Sequence, residues 1–214
     1  MSTSRCLVIA SLVFVGAKLG AQVQPVPATP AQQPRPAIPR AAQSTRATVE
    51  AIIDRRWLNG QWMATGGVAG PARITIAYGQ PHSRGRNLLG TVVPWDSVWR
   101  TGANQATQLT TELDITVGNT FIPRGIYTLF TLPTRTGWKL IVSRQVLQWG
   151  TEYDPAQDLA RIDLRSRTLA EPIESLTFWL VPAVEPQTSQ TLPHGALKFA
   201  WGNLELSTDW RVGR

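Results

Sequence analysis

The spacing of apolar residues indicates a β-strand early in the folded part of the chain. In the segment ARITIAYG, Ile74, Ile76 and Tyr78 alternate with the polar residues Arg73 and Thr75. A period of two is typical of a strand that buries one face. The segment therefore predicts a β-strand that begins at residue 72.

Similar short runs, rich in threonine, β-branched and aromatic residues, follow this strand. We predict further strands over residues 107–117, 120–122, 125–132, 137–143, 160–165, 174–181, 196–201 and 203–207. Gly118-Asn119 and the stretch from Pro133 to Gly137 predict hairpin turns. No helical pattern separates the strands, so βαβ units are not expected. The pattern predicts an all-β fold, an antiparallel β-sandwich or jelly-roll-like domain over residues 72–214.

A different spacing precedes the first strand. Over residues 47–58 the apolar residues recur at helical intervals, at Val49, Ile52, Ile53 and Trp57. This spacing predicts a short helix that ends at Asn59-Gly60. The glycine-rich stretch TGGVAGPA that follows predicts a flexible joint, so we assign residues 47–71 to a short helix and this joint.

The N-terminus has the pattern of a secretory signal peptide. Arg5 precedes an apolar run from Leu7 to Val15, and small residues lead to Ala21. This order predicts a signal peptide over residues 1–21 that is cleaved after Ala21. An uncleaved membrane anchor is the alternative, but the run is shorter than the ~20 residues of a span and Lys18 interrupts it. Residues 22–46 contain six prolines, which predicts a disordered linker between the signal peptide and the domain.

Cysteine content and charge favour an exported protein without a nucleic-acid partner. Cleavage removes Cys6, the only cysteine, which suits an oxidising compartment and predicts a secreted or periplasmic location. It also removes Arg5 and Lys18, which lowers the net charge from +7 to +5. Much of the remaining excess lies in residues 22–71, whereas a nucleic-acid-binding fold carries a basic stripe itself. We expect no membrane span after cleavage, and the oligomeric state stays open.

One block of the sequence resembles a known family. It runs from Tyr78 to Thr107 as YGQPHSRGRNLLGTVVPWDSVWRTGANQAT, and PRGIYTLFTLP, GWKLIVS, QWG and YDPAQD follow in that order. In these strings the chain, over residues 72–183, resembles the bacterial family called domain of unknown function 2911. The resemblance implies a secreted or periplasmic protein and no established activity. Gln80 departs from the arginine that the family more often has, and Gln105 stands where an acidic residue is common.

The string WRTGANQAT concentrates polar side chains that suit a ligand. Arg100 offers a planar fork of donors, Asn104 offers a donor and an acceptor, and Thr101 and Thr107 add hydroxyl groups. Together they predict a site for a small polar ligand such as a sugar or a carboxylate. The alternative is that they tie a long loop to the sandwich, because buried backbone groups need partners.

Tryptophans suggest carbohydrate stacking, with core packing as the alternative. The set consists of Trp95, Trp99, Trp138, Trp149, Trp179, Trp201 and Trp210. We expect Trp179 in the core, and we expect Trp95 and Trp149, which lie in predicted loops, to be the better ligand candidates. Taken with the polar residues of the preceding paragraph, the predicted ligand-binding residues are Arg100, Asn104, Thr101, Thr107, Trp95, Trp99, Arg86 and Tyr78.

Evidence for catalysis is weaker. His82 could serve as a general base near Asp96, but the sequence favours a solvated loop histidine, because no nucleophile motif accompanies it. No GxSxG, HExxH or SxxK motif is present, so no catalytic residue is assigned. Glu152, Asp154 and Asp158 could bind Ca²⁺, but they lack the spacing of a twelve-residue calcium loop. We therefore predict no metal ion and no cofactor.

Three functions stay open at this point. The first is a binding module for a small polar or carbohydrate ligand, which needs an exposed aromatic residue beside Arg100 and Asn104. The second is an envelope-associated hydrolase that uses Asp96 or Asp154 with His82. The third is a scaffold module without a ligand, which requires Arg100 and Asn104 to be buried and bonded to backbone groups.

Overall fold

The predicted all-β fold is confirmed. A computed structural model describes residues 42–54, 56–58, 61–63, 71–184, 186 and 191–214. Within these ranges the chain forms eleven strands and no α-helix, and one 3₁₀ turn spans Pro155–Gln157. The strands are β1 (Ser44–Ile53), β2 (Arg56–Leu58), β3 (Gln61–Met63), β4 (Ala72–Pro81), β5 (Thr107–Thr111), β6 (Ile115–Val117), β7 (Thr120–Ile122), β8 (Gly125–Pro133), β9 (Trp138–Ser143), β10 (Asp158–Pro182) and β11 (His194–Val212).

Nine of these strands form one antiparallel sheet, in the order β1-β4-β5-β8-β9-β10-β11-β6-β7. β2 and β3 pair separately as a hairpin. The large sheet folds over on itself, because Ile76 and Leu129 from one part and Val117 and Leu197 from another line the same interior space. The core therefore lies between two parts of a continuous sheet, as a sandwich requires.

Several strands and turns lie where the sequence pattern predicts them. On β4, Ile74, Ile76 and Tyr78 are buried, as the period of two predicts. Gly118-Asn119 connects β6 to β7 and Gly118 has a φ of 56°, a left-handed conformation that glycine adopts at low cost. The stretch after Pro133 connects β8 to β9 as predicted. The strand predicted over residues 107–117 is broken between β5 and β6 by a turn at residues 112–114.

The helix predicted over residues 47–58 is wrong. Residues in this range belong to β1 and β2, and β1 pairs with β4 along its full length. Ala51 and Ile53 are buried while Ile52 is 59% exposed, so the true period is two and small alanines occupy inward positions. The sheet therefore includes residues from Ser44 onward as well as those after residue 72, and the last three residues of the predicted linker belong to β1. The predicted stop at Asn59-Gly60, and the flexible joint apart from Pro71 and Ala72 at its end, lie outside the described residues.

Two pairs of predicted strands are each continuous. Residues 160–165 and 174–181 both lie in β10, and residues 196–201 and 203–207 both lie in β11. The pairing of β10 with β11 shifts register between Thr168 and Thr177, which is where β-bulges bend strands. β11 would span about 60 Å if straight. The Val212 amide nevertheless donates to the Pro193 carbonyl at 2.8 Å, so the strand curls until its two ends meet.

Candidate functional site

The loop between β4 and β5 is held directly against the sheet. The Trp99 and Thr131 backbones exchange two hydrogen bonds of 2.8 Å, and the Ala103 amide donates to the Gly79 carbonyl at 3.0 Å. A Cβ at Gly79 would lie 1.8 Å from the Ala103 carbonyl oxygen. Only glycine on β4 allows this approach, so the loop packs on the strand as a fixed layer.

Thr101 and Thr107 point into this layer rather than toward a ligand. Both are fully buried. The Thr107 hydroxyl donates to the Thr101 carbonyl at 3.0 Å, and the Thr101 hydroxyl donates to Thr131 Oγ1 at 3.2 Å. Thr101 has a φ of 53°, which is unusual for a β-branched residue and is stabilised here by these contacts. For these two residues the structure favours the scaffold alternative.

Arg100 and Asn104 lie at the surface of the same loop. The half-buried Arg100 donates from Nε to the Gly102 carbonyl at 3.2 Å, its only hydrogen bond within the described residues. Asn104 is exposed, has a φ of 63°, and its side chain makes no hydrogen bond to the described part of the chain. Asparagine tolerates this left-handed conformation better than most residues. Neither side chain therefore has its polar groups fully used by the fold.

A second loop brings an exposed tryptophan to these residues. The Gly150 amide donates to the Asn104 carbonyl at 3.1 Å, and a Cβ at position 150 would lie 2.1 Å from Arg100 Cδ. Trp149 forms a β-bridge with Gln105 and remains 50% exposed. We call the surface formed by Arg100, Asn104, Gln105 and Trp149 the Trp149 platform.

Polar groups continue around the Trp149 platform. Gln105 Oε1 accepts from the Arg46 guanidinium at 2.9 Å, so this departure from the family pattern keeps a charged partner. Gln148 Nε2 donates to Thr128 Oγ1 at 3.1 Å, while its buried Oε1 has no partner in the described residues. The exposed amides of Asn104 and Gln105 therefore provide donors and acceptors on the platform, whereas the unpaired oxygen of Gln148 is buried. The sequence marks Trp149 as a loop tryptophan suited to a ligand, but Trp149 is not in the set of predicted ligand-binding residues.

The other aromatic candidates serve the core. Trp99 is 8% exposed and stacks on Trp201 with ring centroids 6.0 Å apart. The Tyr78 ring lies 4.7 Å from Phe178, and burial raises the pKa of its hydroxyl, which accepts a hydrogen bond from the Phe178 amide. These contacts explain Trp99 and Tyr78 by packing.

Trp95 and Trp179 differ from expectation. Trp95 is half-buried between the edge of Trp138, 5.9 Å away, and the guanidinium of Arg135, 4.8 Å from its ring centre. One face of this loop tryptophan is therefore covered by a cation. Trp179 is only half-buried, and it alternates with the buried Phe178 and Leu180, so it does not lie in the core as predicted.

His82 has a partner that sequence reasoning missed. His82 Nδ1 lies 2.7 Å from Ser175 Oγ, and the two residues form a β-bridge between the end of β4 and the middle of β10. Arg86 donates to the carbonyls of His82 and Ser83 at 2.6 and 3.0 Å, so this candidate ligand residue ties its own turn together. The contact of His82 with Ser175 joins the end of β4 to the middle of β10.

Glu174 adds further contacts between β10 and the turn that follows β4. Its carboxylate accepts from the Ser83 hydroxyl and from the Arg84 amide. These hydrogen bonds, the serine first, hold the pKa of Glu174 below its ordinary value. The contacts join residues about ninety positions apart, which no local pattern in the sequence could reveal.

The acidic candidates have structural partners of their own. Asp154 caps the 3₁₀ turn by accepting from the Ala156 amide at 2.9 Å. Asp158 accepts from Tyr153 and Arg161, both at 2.8 Å. Asp96 is exposed, and its amide donates to the Pro133 carbonyl. Within the described residues, no hydrogen bond or ion pair joins Asp96 or Asp154 to His82, so the predicted acid–base pair is not assembled.

The described residues show neither a metal-binding cluster nor a membrane-spanning helix. Among the described residues, no group of three or more histidine, cysteine or acidic side chains is arranged to hold a metal ion. The same part of the chain contains no helix with the length and apolar character of a membrane span.

The fold and this surface define a class of protein, an all-β domain with a rigid loop platform on the outside of its sheet. The family model described as protein of unknown function (DUF2911) matches residues 62–209, and the chain belongs to this family. The match extends beyond both ends of the resemblance seen in the sequence. No curated protein and no solved structure matches the chain.

Proposed function

We propose that this domain is a binding module for a small polar ligand, with carbohydrates as the leading class, and that the Trp149 platform is its binding surface. The observation that carries the proposal is the half-exposed Trp149, whose loop contacts the backbone of Asn104 and the side chain of Arg100 through Gly150. This is the exposed aromatic residue that the binding hypothesis requires.

The chemistry of the Trp149 platform suits a sugar. An indole presents a flat apolar surface at little cost in conformational entropy, and the apolar face of a pyranose ring can lie against it. Asn104 supplies both a donor and an acceptor for hydroxyl groups, and the free nitrogens of Arg100 add donors. A few placed polar groups next to an apolar surface are the usual composition of a small-molecule site.

Rigidity of the base supports the same proposal. Gly79 and Gly150 allow close backbone contacts, and the hydroxyls of Thr101 and Thr107 fix the interior of the loop. A preorganised surface loses little conformational freedom when a ligand binds. The scaffold hypothesis accounts for the buried threonines and for asparagine at the left-handed position 104, but it gives no role to the exposed side chain of Trp149.

The proposed location is outside the cytoplasm, in the periplasm or in the medium. It rests on the signal-peptide pattern of residues 1–21 and on the loss of Cys6 when that segment is removed. Glycans of the cell envelope are then the sugars that the domain meets. N-terminal sequencing of the exported protein tests the cleavage after Ala21.

Calorimetric titration tests the ligand class. We would titrate the protein with tetramers of N-acetylglucosamine and of glucose, and with succinate as a small carboxylate. Trp149→Ala is expected to weaken binding of the preferred ligand by about two- to tenfold, since an aromatic contact contributes about 0.5–1.5 kcal/mol beyond the apolar area that it buries. Leu147→Ala is the matched control, because Leu147 is a 90% exposed apolar residue of the same loop.

The outcomes separate the hypotheses. Loss of binding in Trp149→Ala but not in Leu147→Ala supports the Trp149 platform. Equal affinity in all three proteins contradicts it and places the ligand elsewhere. If none of the probes binds to the unaltered domain, small sugars and carboxylates are excluded as its ligands and the scaffold hypothesis gains.

A further inference from the structure

Apart from the Trp149 platform, the structure has a cleft where the two ends of β11 meet. This cleft has a volume of about 850 Å³ and is also bordered by the end of β10 and by β6. The hydrogen bond from Val212 to Pro193 closes one side of it. Its volume falls within the ~300–1,000 Å³ that small-molecule sites occupy. We call it the β11 cleft.

The wall of the β11 cleft is largely aliphatic. Val181 and Leu192 both line it and are 44% and 46% exposed, so two large apolar side chains face the open space of the cleft. Pro182, Ala183 and Ala196 continue the apolar surface. A concave apolar surface of this kind marks a binding site more often than an isolated exposed side chain does.

Positive charge borders this apolar wall. Arg211 lines the cleft and has no acidic partner among the described residues. Arg214 also lines it, and its guanidinium lies 4.5 Å from the centre of the Phe121 ring. The one acidic lining residue, Asp209, accepts two hydrogen bonds of 2.7 Å from Arg165, so its charge is already paired.

We propose that the β11 cleft binds a small amphiphile that has an aliphatic chain and a single anionic head group. The chain would lie against Val181 and Leu192, and the head group would pair with Arg211. Charge complementarity selects this occupant, because the same apolar wall beside an unpaired arginine disfavours cationic amphiphiles. The inference is independent of the ligand proposed for the Trp149 platform.

Titration with monomeric surfactants tests this proposal. Dodecanoate, kept below its micelle concentration, is expected to bind the full chain with one-to-one stoichiometry. Dodecyltrimethylammonium has a chain of the same length and the opposite charge, and it is expected to bind at least about tenfold more weakly. Equal affinity for the two compounds would overturn the anionic preference.

Two variants place the site. Arg211→Glu reverses the charge at an exposed position and is expected to weaken dodecanoate binding by at least about tenfold. Arg144→Glu makes the same change of charge at an exposed residue outside the cleft and should leave the affinity unchanged. Ala183→Trp fills the cleft while its amide can still donate to the His194 carbonyl, and it should block binding. Circular dichroism confirms that each variant is folded.

Each remaining outcome overturns the proposal. If dodecanoate does not bind, or binds Arg211→Glu and Ala183→Trp as well as it binds the unaltered chain, the β11 cleft is not an amphiphile site. Binding only to vesicles that contain phosphatidylglycerol, and not to monomeric dodecanoate, would instead indicate a membrane surface as the partner.

Discussion

The Trp149 platform and the β11 cleft differ in shape, in polarity and in what supports them. The platform combines an exposed tryptophan of one loop with amide groups of another. Two buried threonines and the close contact at Gly79 fix the second of these loops to the sheet, and the contact at Gly150 joins the two loops. The cleft is concave and aliphatic, and the curl of one long strand forms it. One suits a flat polar ligand and the other a flexible apolar chain, so a single small fold offers two kinds of chemistry.

The comparison also shows where each surface is vulnerable. The Trp149 platform depends on close backbone contacts made at single residues, so one added methyl group can displace it. The β11 cleft depends on strand pairing along β10 and β11, which many residues share. Mutations at the base of the platform should therefore act on stability and on one ligand, whereas changes at the cleft should act on the other ligand with little effect on stability.

The largest effect is expected from Gly79→Ala. The new Cβ would lie 1.8 Å from the Ala103 carbonyl oxygen, so the loop must move away from β4. Overpacking of this kind against backbone costs about 3 kcal/mol of the free energy of unfolding. Urea denaturation measures it, with Gly137→Ala as the control, because a Cβ at Gly137 meets no atom within 4 Å. A similar loss in both variants would show that the loop is not held by this contact.

A smaller loss is expected from Thr107→Val. This change keeps the shape of the side chain but removes the hydroxyl that donates to the Thr101 carbonyl at 3.0 Å, leaving a buried acceptor unpaired. The cost is about 1–3 kcal/mol. Thr120→Val is the matched control, because the Thr120 hydroxyl makes no hydrogen bond to the described residues. Equal melting temperatures for the two variants would contradict a structural role for Thr107.

Two substitutions of Asn104 distinguish its effect on backbone conformation from a role in ligand binding. Because its φ is 63°, Asn104→Ala should cost about 1 kcal/mol, whereas Asn104→Gly should cost less since glycine adopts this conformation freely. Both variants remove the side chain from the Trp149 platform, so both should lose the same affinity for the ligand. If Asn104→Gly binds as tightly as the unaltered domain, the side chain of Asn104 has no part in recognition.

Much of the fold follows from local patterns, and its exceptions have physical reasons. The strands around Ile76, and the turns at Gly118 and Pro133, are visible because burial on one face imposes a period of two. The pattern of β1 predicts a helix because alanines fill two of its inward positions and Ile52 faces outward. The pattern of β10 predicts two strands because most residues from 165 to 172 are exposed on both faces, so the period of two is lost although the strand continues.

The candidate site was only partly predictable. The loop of Arg100 and Asn104 is visible as a run of unusual polar residues, but burial decides their roles, and Thr101 and Thr107 turned out to face inward. The approach of Trp149 depends on a contact between loops more than forty residues apart. Such contacts depend on strand order, which is a property of the whole sheet rather than of any segment.

The smallest effect concerns Asp209 at the edge of the β11 cleft. Hydrogen bonds from Arg165 lower the pKa of this carboxyl below its ordinary value of 3.8. The pair therefore stabilises the fold above that pH, and this contribution is lost as the pH falls through the lowered pKa. The contribution is less than about 1 kcal/mol, because both side chains are exposed.

Arg165→Gln should raise the pKa of Asp209 toward 3.8, measured by NMR titration, and leave an unpaired carboxylate beside Arg211 at neutral pH. Dodecanoate should then bind a few-fold more weakly, whereas Arg167→Gln, which removes the ion pair with Glu205, should not change its affinity. Unchanged binding in Arg165→Gln would mean that the charge of Asp209 does not reach the head group, and that Arg211 alone defines the anionic end of the cleft.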